Sequence, residues 1–153
     1  MTHFAEAKAK DPALLAARIL LMLLFVISGW GKLNTIGTTE GFFTGIGVPF
    51  PELAVVIAIV MELFVGMAIG VGVLTRPLTI IMAVYTLGTA LLGHQFWNAT
   101  GIAQIENEHN FFKNVSIIGG LIALYVSGAG RYSVDHKIRL SRPAHTNSVD
   151  WKR

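Results

Sequence analysis

The chain has 153 residues, of which 53% are hydrophobic and only 14% charged. An average soluble domain carries about 25% charged residues, so this composition argues against a soluble globule. The net charge of +3 gathers in loops and tails, which marks topology and not nucleic-acid binding. The lack of cysteine excludes a disulfide framework, a thiolate nucleophile, an iron–sulfur cluster and a thiol–disulfide relay within the chain.

Residues 1–12 are polar and mixed in charge, with Pro12 placed to open a helix at its first turn. The first apolar run, about 13–33, is read as a membrane span retained in the mature protein. It is too long for a signal peptide, Arg18 interrupts its start, and no small-x-small cleavage site follows. The stretch 34–51 is rich in Gly, Thr, Phe and Pro, and Phe42 and Phe43 point to a short re-entrant or interfacial segment.

The second span, about 52–75, contains one carboxylate, Glu62, well inside an apolar run. Crossing a bilayer takes ~20 mostly apolar residues, which this stretch supplies. Ala54, Ala58, Glu62, Gly66 and Gly70 recur every fourth residue, so they share a helix face that another helix can approach closely. A mid-membrane charge costs at least ~2.5 kcal/mol on insertion scales, which makes Glu62 a candidate functional residue. The plainer alternative is that it pins the bundle through an ion pair or a hydroxyl. Arg76 and Pro77 are expected to turn the chain into the third span, about 77–98. A polar segment with Glu106, Glu108 and His109 precedes the fourth, about 111–129. Residues 136–153 read as a basic, partly disordered tail outside a four-span domain of residues 1–135.

The fold class expected is therefore all-α, an integral membrane four-helix bundle. Lys8, Lys10, Arg18, Arg76, Arg131, Lys137, Arg139, Arg142, Lys152 and Arg153 fall on one side of it, and Lys32 and Lys113 on the other. The positive-inside rule then places both termini in the cytoplasm.

Each span carries a polar residue toward its outer end: Lys32 one turn after Ser28, Glu62 ~14 Å in at ~1.5 Å per residue, His94, and Lys113 with Asn114. Small-residue faces (Thr79, Ala83, Thr86, Ala90 and His94; Lys113, Ser116, Gly120, Ala123 and Ser127) would bring them together. The candidate ligand-binding set is Lys32, Glu62, His94, Trp97, Lys113 and Asn114. Each has a second reading: the lysines snorkel to headgroups, His94 bonds a carbonyl, Trp30 and Trp97 join an interfacial aromatic belt. Tyr85 and Tyr125 read as packing residues nearer the cytoplasmic half. No metal site is expected, since the histidines and acids lack ligand spacing. No phosphate loop, nucleophile elbow or dinucleotide fingerprint appears. What remains is a mixed-charge outward cavity suited to an amphipathic molecule: a quinone, a phenolic compound or a lipid.

The order of signals resembles the DoxX family of small four-helix bacterial membrane proteins. Arg18 opens span one and GWGKL (29–33) closes it; MELFVGMAIGVGVLTRP (61–77), YTLGTALLGHQFW (85–97) and FFKNVSIIGGL (111–121) follow. GAGRYSVD (128–135) resembles the family's closing motif, with Val134 in place of the usual leucine. The likeness covers roughly 13–135. It implies a multi-pass bacterial inner-membrane protein, and Lys32, Glu62, His94, Lys113 and Asn114 match the family's polar positions. The family takes its name from a subunit of a thiosulfate:quinone oxidoreductase, and other members are associated with oxidative-stress or catechol-resistance complexes. The resemblance leaves the activity and the roles of these residues open. The first functional expectation is a redox-linked component that has no redox centre of its own and binds a quinone or similar amphiphile in this cavity, with membrane lipids, a redox partner protein or, through its glycine-lined helices, a homo-oligomer as partners. Two alternatives stay open: a non-enzymatic scaffold or hydrophobic-compound binder, and a small proton-coupled transporter using Glu62.

Overall fold

The computed structural model describes residues 2–141, with side chains from Lys10 onward. Most of the expected tail, including Arg142, Lys152 and Arg153, lies outside the described residues, as does the Lys8 side chain. Among the described residues there is no strand. Six helices follow in order: α1 (Thr2–Asn34), α2 (Ile36–Gly45), α3 (Pro51–Val71), α4 (Thr75–Gly93), α5 (Ile102–Ser127) and α6 (Val134–Ser141). Among the described residues four segments are long and apolar enough to cross a bilayer: Lys10–Asn34, Pro51–Val71, Thr75–Asn98 and Ile102–Ser127.

The boundaries follow local chemistry. Pro51 occupies the start of α3, where its missing N–H costs nothing, and Glu52 lies in that first turn, facing the positive end of the helix dipole. Gly72, at φ 79°, ends α3 in the left-handed conformation that glycine tolerates best. The turn into α4 is therefore made by residues 72–74. Arg76 and Pro77, expected to form it, lie inside the first turn of α4, where a proline breaks no helical bond. Pro12 sits inside α1 and does not open it.

Span α3 is not uniform. Residues Val60–Val65, with Glu62 among them, form a turn of π-helix. Such wider turns inside α-helices occur frequently at functional sites. Gly29 of α1 packs onto this turn so closely that a Cβ there would stand 2.6 Å from the Leu63 backbone nitrogen. The absent side chain lets the two backbones meet.

Helix α1 packs along α3, and α4 along α5. Met22 and Phe25 of α1, Ile69 of α3, Met82 of α4, and Leu121 and Leu124 of α5 form one buried cluster joining all four spans. Leu20, Ile27, Val84 and Val126 stay well exposed on the outside, as a lipid-facing surface requires. In such a bundle lipid and core are equally apolar, so packing and polar contacts set the interfaces.

Three segments hold helix that the apolar pattern does not mark. The 34–51 connection contains α2, whose Phe42 and Phe43 rings lie 5.9 Å apart. Helix α5 begins at Ile102, nine residues before the expected start of span four, because the polar segment is itself helical. The first described residues of the supposed tail form α6, which is held against the bundle. Asp135 is the reason. Leu74 caps α4 in a left-handed conformation at φ 45° and offers no side-chain acceptor. The Asp135 carboxylate accepts the N–H of Leu74 at 2.8 Å and of Thr75 at 2.9 Å, capping a helix sixty residues away.

Arg18, read from sequence only as the opening of span one, is fully buried. It donates to the carbonyls of Ala129 and Tyr132, fixing the loop after α5 against α1. The bundle therefore has two polar ends, named here the Arg18 end and the Lys32 end.

Candidate functional site

At the Lys32 end a cavity of about 500 Å³ opens between the spans and α2. Its walls are largely apolar, from Leu24 and Phe25 of α1, Phe42 and Phe43 of α2, Ile57 of α3 and Leu92 of α4. Lys32, Glu62, His94, Lys113 and Asn114 all reach its lining. Five of the six candidate residues thus converge on one space. Trp97 does not line it; it packs edge-on against Phe96 at 5.1 Å and Phe111 at 5.9 Å.

Glu62 is the centre of the polar group, only 6% exposed on the π turn of α3. Lys32 donates to its Oε2 at 2.6 Å and to Ser28 Oγ, one turn back on α1, also at 2.6 Å. The Tyr85 hydroxyl donates to Glu62 Oε1 at 2.6 Å. One carboxylate is therefore gripped from both sides, by an ammonium from α1 and a phenol from α4. Among the described residues Lys32–Glu62 is the one ion pair. An isolated carboxylate at this depth is too costly, and this pairing answers the cost.

Tyr85 is the member that the sequence reading missed, since it was placed nearer the other half of the bundle. A signal for it was present. Glu62 stands ten residues before Gly72 and Tyr85 ten residues after Thr75, so antiparallel helices leaving the same turn carry both to about 15 Å from it.

The remaining candidates are more loosely held. Asn114 is buried on α5, and its Nδ2 lies 3.4 Å from Thr89 Oγ1, a long contact. Lys113 is exposed at the rim and donates to Asn110 Oδ1 at 2.8 Å. The buried stripe of α5 is Asn114, Leu121 and Leu124, while Ser116, Ala123 and Ser127 of the expected face are exposed. His94 closes α4, its N–H reaching Ala90 O, with the ring half-buried beside the cavity.

The arrangement offers donors to a ligand. An ammonium has three N–H bonds. Two of those on Lys32 go to Ser28 and Glu62, and the third has no partner among the described residues. It is free to meet an oxygen in the cavity.

Comparison with known proteins agrees with this architecture. The DoxX family model matches residues 13–95. Inner membrane protein YphA of Escherichia coli (strain K12) is 40% identical over 137 residues, covering 90% of this chain and 98% of YphA. Inner membrane protein YqjF of the same organism is 38% identical over 128 residues, covering 84% of this chain and 93% of YqjF. The ER-derived vesicles protein ERV29 of Saccharomyces cerevisiae is 25% identical over 133 residues, which span 87% of this chain and 36% of that protein. No solved structure matches the chain. Family match, full-length inner-membrane relatives and four apolar spans agree: the chain belongs to the DoxX family and is a multi-pass inner-membrane protein.

Proposed function

We propose that the cavity at the Lys32 end binds a quinone or a similar amphiphile, and that the protein is the membrane-embedded binding component of a redox or stress-related complex. The observation that carries this reading is the buried Lys32–Glu62–Tyr85 group in the lining of an otherwise apolar cavity. Small-molecule sites are typically apolar clefts of ~300–1,000 Å³ with a few placed polar groups, and this cavity fits that description.

The donor set suits a ligand with ring oxygens on an apolar frame. Leu24, Phe25, Phe42 and Phe43 take the apolar body. The unused N–H of Lys32 meets one oxygen, and His94 or Lys113 is placed to meet the other. A bound quinone would supply the redox chemistry, taking up two electrons and two protons. Glu62 or His94 is then the proton donor or acceptor; Glu62 is ionised while Tyr85 and Lys32 hold its two oxygens, and so takes up a proton before it gives one. The electrons come from a partner protein. We assign the Lys32 end to the outer leaflet because Lys10, Arg18, Arg76, Arg131, Lys137 and Arg139 all belong to the opposite end.

Mass spectrometry of lipid-extractable material from gently purified protein tests this reading. Wild type is expected to carry a stoichiometric quinone that is lost in both Glu62→Gln and His94→Ala. Bulk phospholipid alone, unchanged by either substitution, would overturn the reading and leave Glu62 as a structural pin.

A further inference from the structure

A second cavity, of about 270 Å³, lies at the Arg18 end and differs in character from the first. Lys10 and Asp11 of α1, Arg76 of α4, Arg131 of the loop after α5, and His136 and Arg139 of α6 all line it. Four permanent cations from four separate segments therefore face one small space. Two carboxylates also line it, Asp11 and Asp135, and each is already engaged by backbone. Asp11 Oδ1 accepts the Arg131 N–H at 2.9 Å, and Asp135 accepts the N–H groups of Leu74 and Thr75. Among the described residues no carboxylate comes within ion-pair distance of Lys10, Arg76, Arg131 or Arg139. The fold holds the acids as backbone clamps, and among the described residues nothing takes up the guanidinium donors of Arg76, Arg131 or Arg139.

Gly128, at φ 74°, turns the chain beside the Arg76 guanidinium at the cavity wall. Around the cavity stand apolar groups suited to a membrane surface. Leu74 and Tyr132 are each more than half exposed. Helix α6 presents exposed Val134 and Ile138 four residues apart, while His136 and Arg139 reach the cavity. A short basic amphipathic helix at the end of a bundle is the geometry of a segment lying in the headgroup region.

We propose that this cavity is a phosphate-binding site that takes the headgroup of an anionic phospholipid. Planar guanidinium forks match phosphate oxygens bidentately, and basic pockets between membrane helices suit such headgroups. The site is independent of the cavity at the Lys32 end.

The test is native mass spectrometry of the full chain released from vesicles of equal parts phosphatidylglycerol and phosphatidylcholine. Wild type is expected to retain phosphatidylglycerol in excess. Arg76→Gln and Arg131→Gln are each expected to lower that retention about tenfold, the loss of one charge-assisted contact. Lys137→Gln removes the same charge from α6 outside the cavity and is expected to leave it within about twofold, since a screened exposed charge contributes little. Should Arg76→Gln fail to fold, Arg76→Lys takes its place; it keeps the charge, loses the fork, and is expected to retain less lipid than wild type. Equal losses in Lys137→Gln and the cavity variants would overturn the site in favour of diffuse surface charge. A parallel thermal-unfolding titration with inorganic phosphate separates the sources. A rise equal to that given by phosphatidylglycerol, and abolished in Arg131→Gln, would assign the site to soluble phosphate and overturn the lipid assignment.

Discussion

Glu62 has two carboxylate oxygens and two protein donors, each 2.6 Å away, so its neighbours depend on it as much as it depends on them. Removing one member of a buried ion pair leaves the other charged and uncompensated, which costs ~3–5 kcal/mol where both are fully buried. Lys32 keeps 22% side-chain exposure, so the cost here falls toward the lower end of that range. Glu62→Gln and Lys32→Met are each expected to destabilise the detergent-solubilised protein. The double variant is expected to lose less than the sum of the two, with a coupling above ~1 kcal/mol. Unfolding midpoints of the four proteins measure this directly. Additive losses would show that the pair carries no net coupling in the bundle, and Tyr85 alone would then account for the position of the carboxylate.

The π turn and Gly29 together set where that carboxylate sits. Periodicity at 3.6 residues per turn marks the face of Ala58, Glu62 and Gly66, and the structure buries all three. The wider turn leaves no such mark, because a π turn arises from packing and not from periodicity. Nor does periodicity reveal the close approach of α1, although Gly29 is a small residue of the kind that permits one. Gly29→Ala isolates this contact. The new methyl would meet backbone, not a flexible side chain, so the helices have to separate. Overpacking of this kind costs about 1–3 kcal/mol. The substitution is expected to lower the unfolding midpoint and also to lengthen the Lys32–Glu62 contact, weakening ligand retention as Glu62→Gln does. Gly31→Ala, on the same helix with open space around it, is the control. If both variants behave alike, the effect is one of helix propensity and the close approach carries no weight.

Four spans, and the convergence of five polar residues on one cavity, were legible because hydropathy marks membrane crossings and buried charge is rare within them. The orientation of α5 was not, since its lipid-facing and core-facing sides are equally apolar and small residues occur on both. Nor was the Arg18 end, whose order depends on contacts across more than a hundred residues: Arg18 to Ala129 and Tyr132, and Asp11 to Arg131. Asp135 completes that end, joining α6 to the turn between α3 and α4, where its own N–H also bonds Gly72 O at 2.8 Å. Burial alone would push the Asp135 carboxyl up. Hydrogen bonds from Thr75 and Leu74, with Arg139 close by, outweigh that and hold it below the usual carboxylate range. A carboxyl depressed in the folded state contributes stability that is fully present above its unfolded value, ~3.9, and is lost as pH falls through the lower folded value. The unfolding midpoint of wild type is therefore expected to fall below about pH 4. Asp135→Asn presents an amide that matches two converging N–H donors poorly, so it is expected to start about 1–2 kcal/mol less stable at pH 7, the usual cost of a lost helix cap. Its midpoint is then expected to fall less steeply over the same acid range, because the group responsible is gone. Parallel acid profiles for the two proteins would place the acid sensitivity elsewhere, and the clamp at Asp135 would then be a matter of geometry without charge.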